Sequence, residues 1–350
     1  MIRFGKAGPF RAGNLMPFRD IAGHRRLVGL VARSIRRGTL PPSLILAGPE
    51  GVGKRLLAFA TAQALNCLNL QTSDAGEIDA CGTCAPCSKI ARGVHPDVLL
   101  VEPGDSGSIK IDQVRDVIDR AGYRPFEGRR RVVIIDQADA LVPQAQNALL
   151  KTLEEPPSAS LFFLVTARPD ALLPTVVSRC PRLRFRPLDA DDVAAVLMKQ
   201  GRSEAEARAT AATADGSVGH ALAASGQDLL DARSVAVRVL AQAAATDDDR
   251  RRLDVTKYLL VGTGAGGAAD REQLAVNLRA MASLLRDAEL SSTRATVALA
   301  NPDVHQDIER LASFRGERGV RAFTAVDQAL VALERNAGVK TVADWLAIQL

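Results

Sequence analysis

The feature that most constrains this chain is a strand, a glycine-rich loop and a helix in immediate succession. Ser43-Leu44-Ile45-Leu46-Ala47 is a short apolar run of the kind that forms a buried strand. Gly48-Pro49-Glu50-Gly51-Val52-Gly53-Lys54-Arg55 follows without a gap, and Leu56-Leu57-Ala58-Phe59-Ala60 opens a helical pattern. Glycines in such a loop let backbone N–H groups curl around phosphates, the helix N-terminus adds its dipole, and a lysine at this point can reach the β and γ oxygens. The sequence therefore predicts an ancestral P-loop whose nucleotide-binding positions are Gly48, Gly51, Gly53 and Lys54, with Asp136 further on, and leaves open whether the site still holds nucleotide or is vestigial. The competing reading is a glycine-rich turn with no ligand.

Around that loop the first half alternates apolar, β-rich runs with helical patterns, the mark of strands joined by crossover helices in a parallel sheet. The runs are Ser43–Ala47, Val98–Val101, Val132–Ile135, Leu161–Thr166 and Leu183–Phe185. Val114, Val117, Ile118 and Ala121 recur at helical spacing before Gly122, as do Ala145, Ala148, Leu149 and Leu153 before Pro156-Pro157. After Arg186-Pro187 the strand signals vanish and Ala/Leu-rich helical stretches run to the end. A break near Ala224-Ser225-Gly226-Gln227 divides this all-α half, and Gly262–Gly267 reads as a loop inside its second part.

At 350 residues and 47% hydrophobic, the chain can build two to three domains with real cores. The N-terminus lacks the continuous apolar stretch of a signal peptide, and no run approaches the roughly 18 apolar residues of a membrane helix, so a cytoplasmic protein is expected. The net charge of +5 is too small to mark a nucleic-acid binder by itself.

Two positions depart from a working nucleotide site. The residue after the loop lysine should be Ser or Thr, whose hydroxyl holds Mg²⁺; Arg55 cannot ligate a cation. Arg131-Val132-Val133-Ile134-Ile135-Asp136 reads as a buried strand ending in a carboxylate, where a P-loop protein keeps the aspartate beside its metal, and Gln137 follows. A neutral amide cannot take a proton from attacking water, and general-base catalysis is worth roughly 10²–10⁴-fold. ATP hydrolysis by this chain is therefore not expected, while ATP and Mg²⁺ binding stay open. Asp136 has a second reading, as a cap for the segment Asp139-Ala140-Leu141.

Four of the five cysteines crowd together as Cys67, Cys81, Cys84 and Cys87, leaving Cys180 alone. In a reducing compartment such spacing points to metal, and four thiolates suit a closed, structural, tetrahedral Zn²⁺ site. Scattered buried thiols or a redox pair are the alternatives.

Together these motifs resemble the clamp-loader ATPases of the AAA+ class. Phe18-Arg19-Asp20-Ile21-Ala22-Gly23-His24 is similar to the box that precedes the loop, and the four-cysteine module lies between the loop and Asp136. Gln146-Asn147-Ala148-Leu149-Leu150-Lys151-Thr152-Leu153-Glu154-Glu155-Pro156-Pro157 is similar to the family's central helix, and Ser178-Arg179-Cys180 follows. The resemblance runs from Phe18 to about Gly226, and beyond that it is compositional. It implies that Arg179 is an arginine finger acting in trans on ATP held by a neighbouring subunit, a role suited to a planar, permanently charged fork. It implies that Thr166 stands at a sensor position, and that His220, in Gly216-Ser217-Val218-Gly219-His220-Ala221-Leu222, replaces a sensor arginine of the motor subunits.

The expected architecture is thus an α/β AAA+ P-loop domain with a zinc module over residues 1–187, a small helical lid over 188–226 and an all-α collar over 227–350. The expected role is that of a non-hydrolysing subunit in a hetero-pentameric clamp loader. Its partners would be the other subunits, the sliding clamp and, through the complex, primed DNA. The alternatives are an active motor subunit of the same class and a zinc-stabilised DNA-binding protein. Arg33-Ser34-Ile35-Arg36-Arg37 and Arg129-Arg130-Arg131 read as solvated charge before they read as DNA contacts.

Overall fold

All five apolar runs of the first half form strands in one parallel sheet, whose three central members are buried on both faces. The computed structural model describes residues 17–72, 77–104, 106–223, 226–246, 248–254, 256–260, 267–291, 299, 301, 304–334 and 337–350. The expected break at Ala224-Ser225 and nearly all of the Gly262–Gly267 loop lie outside these residues, as does the chain before Pro17.

The strands are β1 (Ser43–Ala47), β2 (Gln71–Thr72), β3 (Ile78–Asp79), β4 (Val98–Val101), β5 (Arg131–Ile135), β6 (Ser160–Thr166) and β7 (Arg182–Arg184). The sheet order is β4-β5-β6-β1-β7, with every neighbouring pair parallel. The last strand begins and ends one residue before the predicted run. The helices of this half are α1 (Arg25–Arg37), α2 (Lys54–Asn66), α3 (Ala85–Ala91), α4 (Ile111–Gly122), α5 (Pro143–Glu154) and α6 (Pro174–Val177).

Strand alternation divides the core in two. Leu44, Leu46, Val132, Ile134, Phe163 and Val165 point to one face, against Val31 and Ala32 of α1 and Leu57, Ala58 and Phe59 of α2. Ile45, Val133, Ile135, Phe162 and Leu164 point to the other, against Val114 and Val117 of α4 and Ala145 and Leu149 of α5. Central strands buried on both faces read as unbroken apolar runs, which is why the sequence announces them so clearly.

The short antiparallel β2–β3 pair carries no such signal and is missed by sequence reading. It returns the chain from Cys67 to Cys81, and Asp79 ties it down by accepting the backbone N–H groups of Phe18 (2.8 Å) and Arg19 (3.1 Å).

Beyond β7, the described residues are helical: α7 (Ala190–Lys199), α8 (Glu204–Thr213), α9 (Val218–Ala223), α10 (Gly226–Ala244), α11 (Asp249–Leu253), α12 (Thr256–Leu259), α13 (Ala268–Leu290), α14 (His305–Arg310), α15 (Glu317–Glu334) and α16 (Val339–Gln349). The chain forms two compact units, one running to Asp192 and taking in Ser217–Gly219, the other made of Val193–Gly216 and His220–Leu350. The core of the second joins Val239 and Leu240 of α10, Leu278, Met281 and Leu284 of α13, Val326 of α15 and Leu346 of α16. Within it the buried Asp287 accepts hydrogen bonds from the Asn301 backbone (2.7 Å) and side-chain amide (2.9 Å). Among the described residues no helix is long and apolar enough to cross a membrane.

Candidate functional site

The glycine-rich loop leaves β1 at Ala47 and enters α2 at Lys54. Gly48, Gly51 and Gly53 have φ of 154°, 69° and 101°, values that side-chain-bearing residues rarely adopt. At Gly51 space is equally decisive: a Cβ there would lie 2.2 Å from Ser217 Oγ and 2.9 Å from the Gly219 backbone, and Gly219 N–H donates to the Gly51 carbonyl at 3.0 Å. Ser217–Gly219 thus lies directly on the loop. Lys54 is buried and turns back, Nζ donating to the carbonyls of Gly48 (2.7 Å) and Pro49 (2.5 Å). Burial pushes its ammonium below the ordinary value, opposed by Glu50, Asp136 and Asp139. The four predicted loop residues are therefore brought together.

Asp136 stands at the carboxyl end of β5, next to the loop. Register explains its neighbour: Val101 of β4 pairs with Ile135 of β5, so the following residues, Glu102 and Asp136, come side by side at the sheet edge. Between them lies Arg55, whose Nη1 donates to Glu102 Oε1 at 2.5 Å and to Asp136 Oδ2 at 2.9 Å. Its guanidinium also sits 5.6 Å from the centre of the Phe59 ring. Asp136 Oδ1 accepts the N–H of Gln137, which takes the left-handed φ of 50°. Sequence reading missed Glu102, although a carboxylate directly after the strand beside β5 was the available signal.

The cysteine module comes from three pieces. Cys67 ends α2, Cys81 follows β3, and Cys84 and Cys87 lie at the start of α3. The four sulfurs all lie within 4.8 Å of one another, with Cys67 and Cys84 at 3.9 Å. Tetrahedral zinc with Zn–S of ~2.3 Å would place its ligands about 3.8 Å apart, so the sulfurs fit one metal ion. Backbone N–H groups already point at them, Cys81 N to Cys67 Sγ at 3.2 Å and Cys84 N to Cys81 Sγ at 3.3 Å. Burial would raise the Cys81 thiol, but the N–H groups of Cys84 and Thr83 and the Thr83 hydroxyl outweigh it and bring it to about 6. Cys180 is buried elsewhere, in the core beneath α6, where burial lifts it to about 11.

Arg179 follows α6. Nε donates to Glu154 Oε1 at 2.7 Å, Nη2 bonds the same oxygen, and Nη1 donates to the Thr175 carbonyl at 2.8 Å. Glu154, the last residue of α5, is a second contact that sequence reading did not find. Thr166, at the end of β6, is buried and donates from Oγ1 to Asp139 Oδ1 at 2.7 Å, while Arg168 holds the other Asp139 oxygen at 2.7 Å. In the second unit, burial, aided by Arg279, lowers His220 to about 4 and keeps it neutral.

Of the basic stretch Arg129-Arg130-Arg131, the last residue is not solvated. Arg131 is buried and pairs with the fully buried Asp97 at 2.8 Å, because β5 begins there and draws its side chain beneath the preceding loop. Asp97 also accepts the N–H groups of Phe126, Glu127 and Gly128 at 2.7, 2.9 and 2.8 Å. Arg33 is paired too, with Glu77 at 3.0 Å.

Residues 23–189 match the family described as DNA polymerase III, delta subunit. The chain is 42% identical over 137 residues to the DNA polymerase III subunit delta' of Pseudomonas aeruginosa, covering 39% of this chain and 40% of that protein. It is 34% identical over 183 residues to the delta' subunit of Bacillus subtilis, covering 52% and 54%. It is 30% identical over 254 residues to the DNA polymerase III subunit tau of Escherichia coli, covering 71% and 38%. The chain therefore spans about half or less of the length of these relatives.

Proposed function

We propose that this chain, a member of the clamp-loader AAA+ family through residues 23–189, works as a delta'-like subunit of the DNA polymerase III clamp loader that does not itself hydrolyse ATP. It would sit in a cytoplasmic hetero-pentamer beside tau/gamma and delta subunits and help place the sliding clamp on primed DNA.

The observation that carries the reading is the Arg55 guanidinium bonded to both Asp136 and Glu102. Those carboxylates are the groups a catalytic Mg²⁺ would need, and Gln137 beside them is no base. Mg²⁺ therefore does not fit this site as folded. The competent feature is Arg179, about one-third exposed on an exposed turn. In this reading its guanidinium leaves Glu154 and forks onto phosphate oxygens of a nucleotide held by an adjacent subunit, stabilising charge that grows in that subunit's transition state.

The cysteine module is read as a structural Zn²⁺ site, with Cys67, Cys81, Cys84 and Cys87 as its four ligands. A closed sulfur shell leaves no position for water, so its contribution is to fix the β2–β3 segment against α2 and α3. The helices over 188–226 and 227–350 take the lid and collar roles.

Retention of Lys54 and Asp136, together with the tau relative, favours a second reading as a motor subunit. ATP turnover by the purified chain separates the two. A non-hydrolysing subunit shows no turnover above background, with or without DNA. Turnover abolished by Lys54→Ala would establish the motor instead.

A further inference from the structure

We infer that Arg55 has taken over the place of the divalent cation, so that this P-loop holds a nucleoside polyphosphate, preferentially a diphosphate, without metal. The inference rests on the loop being a nucleotide site and not on the role of Arg179.

A divalent cation in a P-loop site does two things: it neutralises the acidic pair at the sheet edge, and it bridges the β- and γ-phosphates. Here the first task is already done by a side chain. Arg55 Nη1 reaches Glu102 Oε1 at 2.5 Å and Asp136 Oδ2 at 2.9 Å, and the same guanidinium rests over the ring of the buried Phe59 at 5.6 Å. These partners come from α2 and from the residues directly after β4 and β5, so the group is held from several sides. A cation approaching Asp136 would meet a permanent positive charge that cannot be titrated away.

The second task has no substitute. Lys54 and Arg55 bring two positive charges against Asp136 and Glu102, while Glu50 and the Arg168-paired Asp139 also face Lys54, so the floor of the site has no excess of positive charge. With a bridging cation it would carry an excess of positive charge for the terminal phosphate; without one, Arg55 is spent on the two carboxylates and nothing is left to bridge and neutralise a γ-phosphate. What the loop does supply is its own N–H groups and Lys54, which now satisfies itself on the Gly48 and Pro49 carbonyls and can exchange them for phosphate oxygens. Those donors serve a diphosphate.

The test is binding of fluorescent ADP and ATP to the full-length chain, in Mg²⁺ and in EDTA, with bound Mn²⁺ read separately by electron paramagnetic resonance. The expected result is ADP affinity unchanged within about twofold between the two buffers, ATP bound no more tightly than ADP, and no stoichiometric Mn²⁺. Arg55→Thr, checked for folding by circular dichroism, should recruit Mn²⁺ and bind ATP about tenfold or more tightly in Mg²⁺ than in EDTA. Tenfold tightening of nucleotide by Mg²⁺ in the native chain, stoichiometric Mn²⁺, or no binding of either nucleotide at millimolar concentration would overturn the proposal. None of these outcomes bears on Arg179, whose failure would show only in the turnover of an assembled complex.

Discussion

Arg179 Nε lies 2.7 Å from Glu154 Oε1, so the arginine that follows α6 is held by the last residue of α5. Both side chains are partly exposed, at 32% and 49%, and an ion pair in that setting is worth about 0–1 kcal/mol. Arg179→Ala and Glu154→Gln are therefore expected to melt within a few degrees of the native chain, measured by circular dichroism. A much larger drop would mean that the pair is structural and that activity changes in these variants report unfolding.

The cysteine module should carry one metal ion per chain. Zinc content of protein purified without added metal should be stoichiometric, and Cys87→Ser, which removes a fully buried ligand, should lose it. Because structural zinc contributes directly to folding, the same variant should melt well below the native chain. Native protein that is metal-free and equally stable would remove the zinc assignment.

Asp97 gives a pH signature. Burial alone would raise its carboxyl, but the N–H groups of Glu127, Phe126 and Gly128 and the Arg131 guanidinium bring it to about 2. A folded value below the unfolded one stabilises the protein above about pH 4, and that stability fades as pH falls toward about 2. Asp97→Asn leaves Arg131 buried without its counter-charge and should cost about 3–5 kcal/mol near neutrality. Urea midpoints should show the gap between variant and native chain narrowing as the solution is acidified; a gap independent of pH would contradict this origin.

Gly219→Ala tests how Ser217–Gly219 lies on the P-loop. A Cβ at Gly219 would fall 2.7 Å from Gly51 Cα, a backbone atom that cannot swing away. Overpacking of this kind costs about 1–3 kcal/mol, although alanine is otherwise the better helix former. Unchanged or raised stability in urea would show that the two segments do not meet as described.

The sequence revealed the sheet well because its three central strands are buried on both faces, and it revealed the loop and the cysteines because their chemistry demands fixed spacings. It could not reveal partners set by register or by the meeting of distant elements. Glu102 joins Arg55 only because β4 and β5 align Val101 with Ile135, and Glu154 meets Arg179 only because α5 ends beside α6. The β2–β3 pair, two residues a strand, is too short for any period to show. Arg131 looked like one more surface arginine because nothing local signals the carboxylate 34 positions earlier.

The most direct measurement of the central claim is the DNA-stimulated ATP turnover of a clamp loader reconstituted with its motor subunits, comparing the native chain with Arg179→Ala and Arg179→Lys. Assembly is verified in each case by gel filtration. Action of Arg179 in trans predicts an intact complex whose hydrolysis at the neighbouring site falls on the order of 10³-fold with Arg179→Ala. Arg179→Lys should not restore it, because an ammonium cannot fork onto two phosphate oxygens. Turnover within twofold of native in an assembled Arg179→Ala complex would contradict the claim.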